Sequence, residues 1–324
     1  MELPPALRQS IERMLEHQPL ETLRRASARL SSRYRQEVRD GNFHIHDALA
    51  AKAYLATRLP ATFAAIRAAL EAVSEADTDF APSSLLDLGA GPGSALWAAT
   101  DCWPGVESAV MVEASAAIRD VGRTLSEALP VRTEWVEGNL VKGLPALAPA
   151  DLVTLAYVLD EVAGADIPPI VSNLWALTRH MLVIVEPGTP AGWQRILAAR
   201  SMLLNAGAHL IAPCAHNLGC PIAAPDWCHF SRRVARSRLH RLVKEGEVPW
   251  EDEKYIFLAA SRSVVAPAAA RVLAPPQVSS GMVRLKLCKT DGTAAEVLVT
   301  KRDGAAFKQA RRSDWGDALG PTST

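Results

Sequence analysis

The sequence predicts an α/β fold in which a mostly parallel sheet is wrapped by helices and preceded by an N-terminal helical region. Three observations predict it. From Leu85 onward, short apolar runs alternate with helical stretches, the pattern of parallel strands joined by right-handed crossovers. One run, Ser84-Leu85-Leu86-Asp87-Leu88, leads into Gly89-Ala90-Gly91-Pro92-Gly93 and then the helix-like Ser94-Ala95-Leu96-Trp97. A strand, a glycine turn and a helix start in that order present backbone N–H groups to a ligand at the carboxyl end of a strand. Finally, residues 5–76 are rich in Ala, Leu, Arg and Glu, which are good helix formers.

In chain order, helices are expected over 6–20, 20–40 and 46–73, with Gly41-Asn42 as a break and Pro60 limiting or kinking the third. This region, 1–80, reads as a helical cap, with a substrate-facing surface as the rival. The core domain follows over 81–265, and within it strands are expected at 84–88, 108–112, 132–136, 152–156 and 181–185, with helices such as 115–129 and 167–179 between them. A further strand is expected at 254–260, after a cysteine-rich insertion, 206–252. Residues 266–281 read as an Ala- and Pro-rich linker inside a C-terminal extension, 266–324. In that extension Asp291-Gly292 separates the alternating runs 283–289 and 296–300, a strong β-hairpin signal ahead of a basic tail.

Composition narrows the class. Apolar residues make up 49% and charged residues 22%, as in globular proteins. No apolar run reaches membrane-spanning length, and Met1-Glu2-Leu3-Pro4-Pro5 lacks a secretory layout. A cytoplasmic, monomeric protein with no membrane partner is therefore expected. The net charge is zero, but residues 81–204 carry 7 basic and 13 acidic side chains, whereas 205–324 carry 17 and 11. A polyanionic partner is expected to meet the basic C-terminal side.

The spacing Gly89-x-Gly91-x-Gly93 fails the dinucleotide pattern, because Ser94 stands where the third glycine belongs. Asp87, directly before the turn, suits a cofactor with a cationic amino-acid part. Glu113, 20 residues after Gly93 at the next strand end, suits two ribose hydroxyls. Gly138-Asn139, after the third strand, is placed to border an adenine. Together these residues resemble the S-adenosylmethionine site of class I methyltransferases, with an NAD-type or ligand-free Rossmann-like domain as the rival. The resemblance implies cofactor contacts from Asp87, Gly89, Gly91, Gly93, Glu113 and Asn139. Catalytic residues are less defined. After the fourth strand stands Tyr157-Val158-Leu159-Asp160-Glu161 in place of an Asn/Asp-Pro-Pro-aromatic motif. Asp160 and Glu161 are candidates for a general base or for caps of the next helix.

Cys214, Cys220 and Cys228 lie within fifteen residues among Gly and Pro. Such a loop can wrap a metal centre, with Cys288, His216 or His229 as fourth ligand and zinc or an iron–sulfur cluster as occupant. Cys102 stands alone and reads as a core residue. From His229 to Lys244 there are six Lys/Arg and no acid. Arg232, Arg233, Arg236, Arg238 and Arg241 form a candidate phosphate-backbone binder, with a solvated face as the bland reading.

The glycine loop, Val185-Glu186-Pro187-Gly188, the cysteine loop, Glu253-Lys254-Tyr255, Leu287-Cys288 with Asp291-Gly292, and Trp315-Gly316-Asp317 come in one order. In that order they resemble the family of the mitochondrial small-ribosomal-subunit methyltransferase-like assembly protein and its bacterial relatives. The resemblance implies a class I methyltransferase sheet with S-adenosylmethionine in its crevice. It also implies a [4Fe–4S] cluster on Cys214, Cys220, Cys228 and Cys288, and association with small-subunit ribosomal RNA during ribosome assembly or translation. Three readings follow: an S-adenosylmethionine-dependent RNA methyltransferase, a non-catalytic assembly factor, or a small-molecule methyltransferase.

Overall fold

The computed structural model describes residues 1–37, 40 and 43–320. Four helices open the chain: α1 (Pro5–Leu15), α2 (Leu20–Arg35), α3 (Ala48–Thr57) and α4 (Leu59–Ala76). The expected break at Gly41-Asn42 lies outside the described residues. Pro60 acts as foreseen: it sits in the first turn of α4, where its missing N–H costs nothing, and α3 ends just before it. Asp47 caps α3 by accepting from the Ala50 N–H at 2.7 Å. Seven of the ten residues of α3 are buried, so most of its alanines serve close packing rather than an amphipathic face. These helices share one continuous core with the sheet.

The central unit continues with β1 (Ser84–Leu88), α5 (Ser94–Cys102), β2 (Ser108–Val112), α6 (Ala116–Ser126), β3 (Arg132–Val136), β4 (Ala150–Ala156), α7 (Ile167–Ala176), β5 (Thr178–Pro187) and α8 (Pro190–Asn205). Next come β6 (His209–Ala212), β7 (Phe230–Ala235), α9 (Arg238–Lys244) and β8 (Trp250–Ser261). The sheet order is β3-β2-β1-β4-β5-β8-β6, with β7 also paired to β8. Strands β1 to β5 are parallel, and β8 enters antiparallel to β5. Order reverses between β1 and β4, so a crevice opens at their carboxyl ends. Leu86, Leu88, Leu155, Leu182 and Ile184 are at most 1% exposed beneath it, each contributing up to ~1.5–3 kcal/mol by burial.

The cysteine-rich insertion is woven into this sheet. Its β6 and β7 flank the two halves of β8 on one side, with Leu210 opposite Ala260 and Phe230 opposite Tyr255. The expected linker is also structured. It supplies β9 (Ala270–Val272) and β10 (Gln277–Ser279) to a second sheet with β11 (Met282–Lys289), β12 (Ala294–Thr300) and β13 (Ala318–Leu319). Alanine and proline obscured these short strands, because alternation over three residues leaves almost no periodic signal. The helix α10 (Gly304–Arg312) closes this sheet, burying Phe307 and Ala310 against Val272, Val283 and Leu285.

Candidate functional site: a cofactor crevice and a cysteine cavity

The glycine turn after β1 is held from beneath. Gly89 and Ala90 donate their N–H groups to the Val112 carbonyl at 2.8 and 3.0 Å. Gly89, Gly91 and Gly93 all have positive φ, at 69°, 53° and 84°. A Cβ on Gly89 would stand 2.4 Å from Val158 Cγ2, so the turn lies directly against the residues that follow β4. Gly93 caps α5 and packs near Trp135 instead of facing the crevice.

Glu113, at the end of β2, reaches across to the turn. Its Oε2 accepts from the Gly91 N–H at 2.9 Å and its Oε1 from the Ser115 N–H at 2.8 Å. Burial pushes this carboxyl upward, while those backbone N–H groups favour its charged form. Each oxygen keeps a further lone pair for a ligand hydroxyl. Asn139 folds a short turn by accepting from the N–H groups of Val141 and Lys142, both at 2.9 Å. Gly89, Gly91, Glu113 and Asn139 line one crevice of about 1350 Å³.

Asp87 does not line it. The side chain is 2% exposed and accepts from the Thr154 hydroxyl at 2.6 Å on the neighbouring strand. Burial raises its pKa from 3.8 to about 7, with the nearby Glu113 adding to the rise. A raised acid of this kind gives stability that is complete below about 4 and lost as pH rises through about 7. Asp87→Asn is therefore expected to flatten the stability–pH curve and to be more stable than the native chain above pH 7. Urea unfolding from pH 5 to 8 checks it; parallel curves would refute it.

Beyond β4 the backbone is strained at Tyr157, whose φ is 59°. Its hydroxyl donates to Glu253 Oε1 at 3.0 Å, on β8. Asp160 and Glu161 both line the crevice. The reading of them as helix caps fails, because α7 starts only at Ile167, with Asp166 at its cap position. Burial pushes both carboxyls upward. Behind them Glu186 is fully buried, accepting from the Leu159 N–H at 3.0 Å and from Arg195 Nε at 2.8 Å. It fixes the chain after β4 against β5.

No sequence motif marks the residues that line the crevice from a distance. Tyr34 and Arg35 of α2, Tyr54 of α3, Arg58 at the α3–α4 junction, and Glu253 and Lys254 of β8 all face it. The usable signal was Tyr54 and Arg58, four residues apart in an otherwise apolar stretch. The helical region thus both caps the core and walls the crevice.

The cysteines converge elsewhere. Cys214, Cys220, Cys228 and Cys288 line a single small cavity with His216 and the apolar Ile222, Ile256 and Leu258. Cys288 Sγ stands 3.4 Å from His216 Nε2. Burial raises the Cys228 thiol, and the other three cysteines raise it further. His229 leaves the contest for fourth ligand: it stacks on Trp227, with ring centroids 4.9 Å apart, and meets Trp315 edge-on. Among the described residues, no three of His, Cys, Asp or Glu stand close enough for one metal ion. Cys102 lies outside the cavity, with burial raising its thiol to about 12.

The arginine run is a strand and a short helix, not a free basic arm. Arg232 pairs with Glu71 at 2.9 Å, Arg233 with Asp252 at 2.9 Å and Arg236 with Glu251 at 3.0 Å. The acids missing from the run are supplied by β8 and α4. Arg238 and Arg241 on α9 have no carboxylate partner among the described residues.

The sheet order, the antiparallel β8 and the glycine turn facing Glu113 define a protein of the class I methyltransferase fold. The family described as mitochondrial small ribosomal subunit Rsm22 matches residues 48–320, and the chain belongs to that family. Human mitochondrial ribosome assembly protein METTL17 is 30% identical over 285 residues, covering 82% of this chain and 61% of that protein. A mitochondrial Rsm22-cox11 tandem protein of Schizosaccharomyces pombe is 22% identical over 318 residues, covering 82% and 42%. The chain thus spans only part of the length of these relatives. Among solved structures, magnesium protoporphyrin IX methyltransferase from Synechocystis is similar at 14% identity and TM-score 0.42, covering 72% of this chain and 91% of that one. A putative RNA methyltransferase from Pyrococcus horikoshii is similar at 14% and 0.41, covering 61% and 85%. The cytoplasmic expectation is overturned: the matching family and both relatives are mitochondrial by name.

Proposed function

We propose that this chain binds S-adenosylmethionine in the β1–β4 crevice and small-subunit ribosomal RNA on its basic face, and acts in ribosome assembly. The observation that carries the cofactor reading is Glu113, held by the Gly91 and Ser115 N–H groups opposite the glycine turn. A carboxylate fixed there suits a ribose diol, Asn139 borders the adenine, and the open Gly89–Gly91 backbone admits the amino-acid end. Bound, the cofactor supplies an electrophilic methyl group. The chain's own part is orientation, with Asp160 and Glu161 as candidate proton acceptors beside the strained Tyr157. Glu113→Gln is expected to weaken S-adenosylhomocysteine binding about tenfold or more, because a charged hydrogen-bond acceptor is lost. Calorimetric titration checks it, and unchanged affinity would remove the carboxylate from the site.

The four thiols fit a [4Fe–4S] cluster. They come from two segments, the stretch between β6 and β7 and strand β11, and line one cavity, and four thiolates are a ligand set that suits an iron–sulfur cluster, with zinc as the rival occupant. A cluster spreads its ligands wider and cross-links the segments that carry them. Cys214, Cys220, Cys228 and Cys288 would hold it.

For the RNA face, Arg238 and Arg241 carry the proposal better than the paired arginines. Replacing both with Ala is expected to lower the salt slope of RNA binding by ~1.5 units and to weaken binding to all sequences alike. Arg233→Ala, which removes a charge already engaged by Asp252, serves as the comparison. Equal slopes in all three proteins would sink the assignment. The rival reading, an assembly factor that performs no methyl transfer, is favoured by Tyr157, whose hydroxyl is engaged by Glu253 where amino-methylating enzymes present Asn/Asp-Pro-Pro-aromatic. Labelled methyl transfer to small subunits from cells lacking the protein separates the two.

A further inference from the structure

The crevice is larger than its cofactor end requires, and its far wall has a composition of its own. Tyr34, Tyr54 and Tyr157 line that wall, each from a different element. Arg58 lies among them, its Cζ 5.4 Å from the Tyr34 ring centroid. Its Nε is buried and has no hydrogen-bond partner, and its terminal nitrogens donate to no group among the described residues. The terminal nitrogens stay open to the crevice, where a ligand can meet them. Nearby Glu253 offsets the charge without touching the fork. Glu253 accepts from Tyr157 through Oε1 and keeps Oε2 free of hydrogen bonds among the described residues.

An unfilled planar donor fork and an available carboxylate oxygen thus stand side by side among aromatic rings. This combination selects a flat ligand with an acceptor and a donor adjacent on one edge. Every nucleobase has such an edge, and every nucleobase has a face that stacks on tyrosine. A simple anion would need the fork but neither the rings nor the carboxylate, which would repel it. A quaternary cation would need the rings but not Arg58.

We propose that Arg58 and Glu253, with Tyr34, Tyr54 and Tyr157, form a subsite for one nucleobase taken out of its stack and placed beside the cofactor end of the crevice. The proposal deepens the RNA-binding, cofactor-binding reading and rests on it. Its position follows from Tyr157 and Val158: Val158 touches the place where a Cβ on Gly89 would stand, while the Tyr157 hydroxyl reaches Glu253. Lys142 and Lys254 at the crevice walls supply positive charge for the flanking phosphates.

The test titrates the full chain, saturated with S-adenosylhomocysteine to fill any adenine site, with the four nucleoside 5′-monophosphates, ribose 5-phosphate and inorganic phosphate. At least one nucleotide is expected to bind about tenfold tighter than ribose 5-phosphate, the scale of one base stacked on an aromatic ring. Arg58→Met, which keeps the length of the side chain, and Glu253→Gln, which keeps the acceptor for Tyr157, are each expected to abolish that preference. Neither is expected to change S-adenosylhomocysteine affinity, which also reports that the variants fold. Four nucleotides no tighter than ribose 5-phosphate would overturn the proposal. So would a preference that survives both substitutions, or ribose 5-phosphate and inorganic phosphate binding as well as the nucleotides, which would mark an anion site. If S-adenosylhomocysteine itself fails to bind, the cofactor reading falls, and the Arg58 dependence of nucleotide binding still decides the subsite.

Discussion

Cys228→Ser, purified without oxygen, is expected to lose its iron and sulfide and to unfold ~10 °C below the native chain. The size follows from what the cysteine cavity joins. Cys214, Cys220 and Cys228 belong to the segment between β6 and β7 of the main sheet, whereas Cys288 lies on β11 of the second sheet. A centre binding all four closes a loop of roughly 60 residues between Cys228 and Cys288, and a cross-link over that length contributes about 4 kcal/mol by chain entropy. Spread over a domain of this size, each kcal/mol moves Tm by ~2–4 °C. The cavity walls add a second loss, since the thiols face Ile256 and Leu258 of β8 and an emptied cavity leaves them poorly packed. Cys102→Ser is the control: that thiol lies outside the cavity, so iron content should be unchanged. Iron and sulfide analysis with thermal unfolding reads both effects. Native iron in Cys228→Ser, or stoichiometric zinc without sulfide in the parent chain, would remove the cluster from the proposal.

The parts of this architecture that the sequence made legible are those governed by local pattern. Strands β1 and β2 fall where their apolar runs predict, because a largely buried strand leaves a continuous signature, and β3, an edge strand with no buried residue, falls where its polar–apolar alternation predicts. The glycine turn and Glu113 were legible for the same reason, since a fixed crossover length sets their separation. What failed was long-range. Arg232, Arg233 and Arg236 lacked acids in their own segment, but pairing β7 with β8 places Asp252 opposite Arg233, and α4 brings Glu71 to Arg232. Asp87, directly before the glycine turn, suits the cationic amino-acid part of a cofactor by its place in the sequence. Strand alternation turns it instead toward Thr154. The far wall of the crevice leaves only one local trace, Tyr54 and Arg58 in an apolar stretch, because Tyr34, Tyr54 and Arg58 come together only through the packing of three helices.

Gly89→Ala is expected to abolish measurable S-adenosylhomocysteine binding while leaving the chain folded. Two costs act at one atom. Gly89 has φ of 69°, a left-handed conformation that costs an L-residue roughly 1–2 kcal/mol. The new Cβ would stand 2.4 Å from Val158 Cγ2, and relieving an overlap of that kind typically costs ~1–3 kcal/mol. Val158 is not a flexible end. Its β-branched side chain follows the strained Tyr157 and precedes Leu159, whose N–H is fixed by buried Glu186. The turn must therefore move, and moving it breaks the paired Gly89 and Ala90 bonds to Val112 and shifts Gly91 away from Glu113. If most of ~2–5 kcal/mol is expressed as a displaced turn, affinity falls by roughly 30- to several thousand-fold. Gly91→Ala separates the two costs. Its φ of 53° carries the same backbone penalty, but no atom lies within 4 Å of its would-be Cβ. That variant is expected to lose only about tenfold, the backbone term alone. Calorimetry on both, with far-ultraviolet circular dichroism to verify folding, decides the matter. Equal losses in the two variants would mean that contact with Val158 does not position the turn, and full binding by Gly89→Ala would place the cofactor elsewhere in the crevice.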